Sequence, residues 1–154
     1  MALRPFENEA TTRKAGESAA PSSDRATEIL ATILIVEDEA ALLELVRQYL
    51  QKRNYGVLTA KNGREGVEVF RQHAKKIQLV ISDLAMPGMN GLECMERILA
   101  LEPRVRFLFM SGFPEQIVER HRATFERCEF LPKPFRLDQL LDKVGHLLSR
   151  DAAA

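Results

Sequence analysis

The chain has 154 residues, one domain's worth, and at 45% hydrophobic and 29% charged it has the composition of a globular protein with enough length for a core. Lys and Arg total 22, as do Asp and Glu, so no net field draws it to nucleic acid or a membrane surface. Two cysteines make no disulfide framework, no apolar run reaches membrane length, and "MALRPFENEA" carries charges where a signal peptide needs an apolar segment. A cytoplasmic protein with no nucleic-acid or membrane partner is expected.

Residues 1–31 are polar, mixed in charge and without a sustained period, which predicts a disordered tail or linker. From Thr32 the pattern changes. "TILIV" is a short, β-branched apolar run of the kind buried on both faces of a sheet. "EDEAALLELVRQYLQKR" follows as a helix, with Leu42, Leu45, Val46, Tyr49 and Leu50 assigned to its inward stripe. "YGVLTA" predicts a second strand, and "NGREGVEVFRQHA" a helix with Val67, Phe70 and Ala74 inward. "IQLVIS" is a third strand, and "GLECMERILALEP" a helix aligning Leu92, Met95 and Leu99. "VRFLFMS" is a fourth strand, followed by a weaker helix over "PEQIVERHRATF" (114–125). "CEFLPK" is a fifth, short strand, and "RLDQLLDKVGHLLSR" a strong helix through Leu137, Leu140, Leu141, Val144 and Leu148. Five strands alternating with five helices predict an α/β fold, a parallel sheet covered on both faces. In such sheets, sites form beyond the carboxyl ends of the strands, near the reversal of strand order.

Those ends carry a consistent chemistry. The first strand runs into Glu37, Asp38 and Glu39, the third into Asp83, the fourth into Ser111, and the fifth into Lys133 followed by Pro134. Singly, each has an ordinary reading: acids suit a helix N-terminus, Asp and Ser suit turns, and lysine suits a surface. Together they place carboxylates, a hydroxyl and an amine at one edge of one sheet. Crowded carboxylates repel unless a cation joins them, and hard oxygen ligands suit Mg²⁺. An amine and a hydroxyl complement phosphate oxygens. An aspartate can itself attack phosphorus to give an acyl phosphate.

In order and spacing, "ILIVEDE", "LVISDLAMPGMNG", "FLFMSG" and "FLPKPF" resemble the receiver domain of two-component response regulators, from about Thr32 to Arg150. The wording is especially similar to receivers of hybrid histidine kinases. The resemblance implies a flavodoxin-like, doubly wound sheet of order 2-1-3-4-5 with five helices over residues 32–150, and a short tail at 151–154. It implies that Asp83 accepts a phosphoryl group from a phosphohistidine on a sensor histidine kinase or histidine phosphotransfer protein. Asp38, Glu37, Asp83 and the backbone carbonyl of Ala85 would serve Mg²⁺. Ser111 and Lys133 would meet phosphoryl oxygens, Ser111 and Phe130 would act as the switch, and the Lys133–Pro134 bond would be cis. The readout would be the face made by the fourth helix, fifth strand and fifth helix, which would bind a downstream protein. The resemblance further implies a monomer or weak homodimer, and a signalling phosphoacceptor that is no enzyme beyond its own phosphorylation and dephosphorylation.

Two departures stand out. Glu37 replaces the family's commoner aspartate, and Phe130 lacks the hydroxyl of the frequent tyrosine. Phe113 is expected to limit water access to the acyl phosphate. A haloacid-dehalogenase-type phosphatase would need a second aspartate where Ala85 stands, and a pseudo-receiver would have lost some of Asp38, Asp83, Ser111 and Lys133. Met86 and Met89 are expected to pack the loop, Cys94 to pack in the core, "KNG" at 61–63 to lead into a helix, and His73, His121 and His146 to sit on solvated surface.

Overall fold

The structure, a computed structural model, describes residues 28–111, 119–120, 123 and 128–150. It contains strands β1 (Thr32–Val36), β2 (Gly56–Ala60), β3 (Ile77–Asp83), β4 (Arg106–Ser111) and β5 (Cys128–Pro132). Helices α1 (Ala40–Gln51), α2 (Gly63–His73) and α3 (Gly91–Leu101) and a C-terminal helix (Leu137–Ser149) separate and follow them. All strand pairs are parallel, and the sheet order is β2-β1-β3-β4-β5, as expected. The fourth expected helix lies largely outside the described residues; Glu119 and Arg120, which belong to it, are helical. Phe113, His121, residues 1–27 and residues 151–154 also lie outside them.

Strand alternation divides the core into two layers. Ile33, Ile35, Leu79, Ile81, Leu108 and Met110 meet Leu43, Val46 and Leu50 of α1 and Leu140, Val144 and Leu147 of the C-terminal helix. On the opposite face, Leu34, Val36, Val80, Phe107 and Phe109 meet Val67 and Phe70 of α2 and Cys94, Met95 and Ile98 of α3. Most of these side chains are fully buried, and each contributes about 1.5–3 kcal/mol over its exposed state.

The α1 assignment needs correction. Its buried residues are Leu43, Val46 and Leu50, while Leu45 is 51% exposed. At 100° per residue Leu45 lies roughly 130° round the helix from the centre of that trio. Leu42 and Tyr49 flank the stripe and pack against its edge.

Two Asn-Gly pairs start α2 and α3 in the same way. The Asn62 side chain accepts from the Glu65 N–H at 2.8 Å and that of Asn90 from the Glu93 N–H at 2.9 Å, each satisfying a donor the helix leaves open. The "KNG" turn therefore leads into a helix, as expected. At the other end of the sheet the incoming chain is fastened by two main-chain hydrogen bonds, from Leu30 N–H to Asn54 O (2.8 Å) and from Gly56 N–H to Ala31 O (2.9 Å). No helix among the described residues is long and apolar enough to cross a membrane.

Candidate functional site

Register places the candidate residues on one rim. Val36 pairs with Ser82, so Glu37 comes level with Asp83. Asp83 pairs with Met110, so Ser111 is the next residue on β4, and Ser111 pairs with Pro132, so Lys133 is the next after β5. This is the carboxyl edge at the β1/β3 boundary, where strand order reverses.

Carboxylate oxygens of Glu37, Asp38 and Asp83 lie within 4.8 Å of one another. Glu37 is 1% exposed and Asp83 8%, whereas Asp38 faces solvent. Lys133 Nζ donates to Glu37 Oε2 and to Asp83 Oδ2, each at 3.2 Å. Ala85 N–H donates to Asp83 Oδ1 at 3.2 Å, and Glu39 N–H to Glu37 Oε1 at 3.1 Å. The Glu39 side chain makes no cap bond at the start of α1, so helix capping by that acid does not explain the cluster. Ser111 is buried, and its carbonyl accepts from Lys133 N–H at 2.9 Å. The Lys133–Pro134 peptide bond is cis.

Three carboxylates against one ammonium leave a formal excess of two negative charges. An all-oxygen set with that excess fits a hard divalent cation such as Mg²⁺. Burial pushes the Glu37 carboxyl above its ordinary value; the Glu39 N–H opposes this, the Asp83 charge adds to it, and Lys133 opposes it. Burial alone would lower the Lys133 ammonium, but its hydrogen bond to Asp83 and the charges of Glu37 and Asp83 raise it overall.

A carboxyl raised on folding holds its proton more tightly in the folded chain than in the unfolded one. Stability therefore falls as pH rises from about 4.5, the ordinary value, toward the raised one. In chelator, urea midpoints of the wild type are expected to decline over that window, and those of Glu37→Gln to decline less. Parallel curves for the two proteins would contradict this.

The loop after Asp83 is built on glycine. Gly91 N–H donates to Leu84 O at 2.9 Å, and a Cβ at Gly91 would lie 2.1 Å from Asp83 O. Gly88 has φ +74°, the left-handed region. Met86 is buried and Met89 packs against the core, as expected of loop packing. Phe130 is half-buried and stacks on Phe109 with centroids 5.7 Å apart.

Burial pushes the Cys94 and Cys128 thiols up to about 12, so both are packing groups with little thiolate character. Sequence reasoning missed one polar cluster. Glu129 of β5 pairs with His146 Nδ1, with Lys143 Nζ at 3.5 Å and with Arg150 at 3.9 Å. The exposed ring of His146 is thus engaged and not merely solvated.

The chain matches the response regulator receiver domain family over residues 33–145. It is 35% identical over 120 residues to the sensor kinase CckA of Brucella abortus, covering 78% of this chain and 13% of that protein. A response regulator receiver domain protein of Clostridium thermocellum has a similar structure (TM-score 0.72, 26% identity, 80% of this chain and 98% of that one). So does the response regulator TrrA of Thermotoga maritima in complex with Mg²⁺–BeF (TM-score 0.67, 30% identity, 77% and 99%). The chain belongs to the response regulator receiver domain family. It is a signal-transduction module of two-component systems, a signalling phosphoacceptor rather than a classical enzyme.

Proposed function

We propose that Asp83 takes a phosphoryl group from a phosphohistidine on a sensor histidine kinase or a histidine phosphotransfer protein. The observation that carries this reading is the Lys133 ammonium, 3.2 Å from both Glu37 and Asp83 inside a cluster of three carboxylates. An Asp83 oxygen attacks phosphorus, the P–N bond to the donor imidazole breaks with its electron pair leaving on nitrogen, and an aspartyl phosphate forms. Lys133 pairs with a phosphoryl oxygen and Ser111 donates its hydroxyl to another, so the protein contributes position and charge. Glu37, Asp38, Asp83 and the Ala85 carbonyl would hold Mg²⁺, which when bound supplies charge neutralisation of the phosphoryl oxygens. The Mg²⁺–BeF complex of the similar Thermotoga protein supports the choice of ion.

Phosphorylation then biases a pre-existing equilibrium through Ser111 and Phe130. The readout is the face formed by the fourth expected helix, β5 and the C-terminal helix, and its occupant is a downstream protein. Intact-mass spectrometry after incubation with phosphoramidate and Mg²⁺ tests the acceptor. The wild type is expected to gain one phosphoryl group, and to gain none in chelator or as Asp83→Asn. A gain that survives Asp83→Asn would overturn the assignment.

A further inference from the structure

Helix α2 contributes no side chain to the site, yet its first turns press on two of the segments that build it. A Cβ at Gly63 would lie 2.7 Å from the main-chain oxygen of Met89, 3.0 Å from its Cγ and 3.1 Å from its Cβ. Met89 belongs to the same loop as Ala85. A Cβ at Gly66 would lie 2.8 Å from Cγ2 of Val36, the residue before Glu37. Neither glycine lies in the left-handed region, so what these positions require is space.

The two obstacles differ in kind. Val36 presents a methyl group, whereas Met89 presents a peptide oxygen in a loop closed by the Gly91–Leu84 hydrogen bond and the Asn90 cap. A loop fastened at that end cannot turn one peptide aside as a side chain changes rotamer. Cys94 Sγ also donates to the Gly63 carbonyl at 3.5 Å, tying the first turns of α2 and α3 together. The seat of the acceptor loop is thus fixed from behind by bare backbone.

We propose that Gly63 is a positioning residue for cation binding, setting how closely the loop bearing the Ala85 carbonyl approaches the edge formed by Glu37 and Asp38. This rests on the reading of Glu37, Asp38, Asp83 and Ala85 as Mg²⁺ ligands. An alanine at position 63 pushes the Met89 peptide outward and widens the oxygen set. The Asp83 carboxylate itself and its contact with Lys133 are untouched.

The test is titration of the whole chain with MgCl₂, followed by amide chemical shifts. Gly63→Ala is expected to raise the Mg²⁺ Kd about 10-fold, the usual scale for groups that orient ligands. Gly145→Ala, whose Cβ would meet nothing within 4 Å, keeps the wild-type Kd. In phosphoramidate labelling, saturating MgCl₂ is expected to restore the Gly63→Ala rate to within about twofold of wild type, the mark of lost metal affinity with intact chemistry. Met89→Gly keeps Gly63 but removes the side chain that α2 grips, so it is expected to weaken Mg²⁺ in the same direction and decides the matter if Gly63→Ala does not fold. Wild-type affinity in both variants, or a slow rate that saturating Mg²⁺ leaves slow, would overturn the role of Gly63. Failure of the wild type itself to bind Mg²⁺ would instead overturn the ligand assignment beneath it.

Discussion

Replacing Lys133 by methionine is expected to slow phosphoryl transfer from phosphoramidate by about 10²-fold at saturating Mg²⁺, the scale seen when one donor to a developing charge is removed. The same change acts on the resting fold. Lys133 Nζ is the counter-ion of two carboxylates, Glu37 at 1% and Asp83 at 11% side-chain exposure. Without it both remain buried beside Asp38 with no described cation. Breaking a buried pair costs about 3–5 kcal/mol, and the low end applies because Lys133 is itself 27% exposed. Lys133→Met should therefore unfold in less urea than wild type in chelator at neutral pH. MgCl₂ should recover more stability in the variant than in the wild type, because the ion replaces the missing charge and binds only the folded chain. Equal Mg²⁺ increments in the two proteins would show that Lys133 does not balance the acids.

Gly91→Ala is the second large effect, and its cause is steric. The added Cβ would sit 2.1 Å from Asp83 O and 2.9 Å from Leu84 Cα, both main-chain atoms that no rotamer can move. Overpacking commonly costs about 1–3 kcal/mol. Here the obstacle is backbone at the end of a central strand, so a loss of at least about 3 kcal/mol is expected, and larger losses would fall in the rare class reserved for severe mechanisms. Urea denaturation checks it, with Gly145→Ala as the helical comparison. That control should be neutral or more stable, since alanine outperforms glycine within a helix by about 0.5–1 kcal/mol and open space surrounds the site. A fully stable Gly91→Ala would mean that the loop has a second, unstrained closure.

The inner strands β1, β3 and β4 were legible because each carries an apolar run buried on two faces, and the rim residues were legible because a parallel sheet delivers all its carboxyl ends to one edge. Glu37, Asp83, Ser111 and Lys133 needed only that rule to be brought together. Leu43 and Leu45 were harder to tell apart, since α1 carries more leucine than one face can bury and the neighbours of the helix decide which arc turns inward. The Glu129–His146 pair spans 17 positions and depends on how the C-terminal helix lies against β5, which periodicity does not specify. The approach of Gly63 to Met89 was invisible for a related reason: a glycine's lack of a side chain carries no signal until its neighbour's position is known.

The fastening of Leu30 and Ala31 beside the start of β2 bears on how such a module can be joined to others. A chain fixed there enters beneath the sheet, at the pole remote from Asp83. The C-terminal helix begins just past Lys133 and runs back for 13 residues, about 20 Å at the helical rise, so it ends toward that same pole. Both ends of the described chain, Glu28 and Arg150, therefore lie toward the underside. The rim around Asp83 lies at the opposite pole, so neither attachment point of the described chain stands beside its carboxylates.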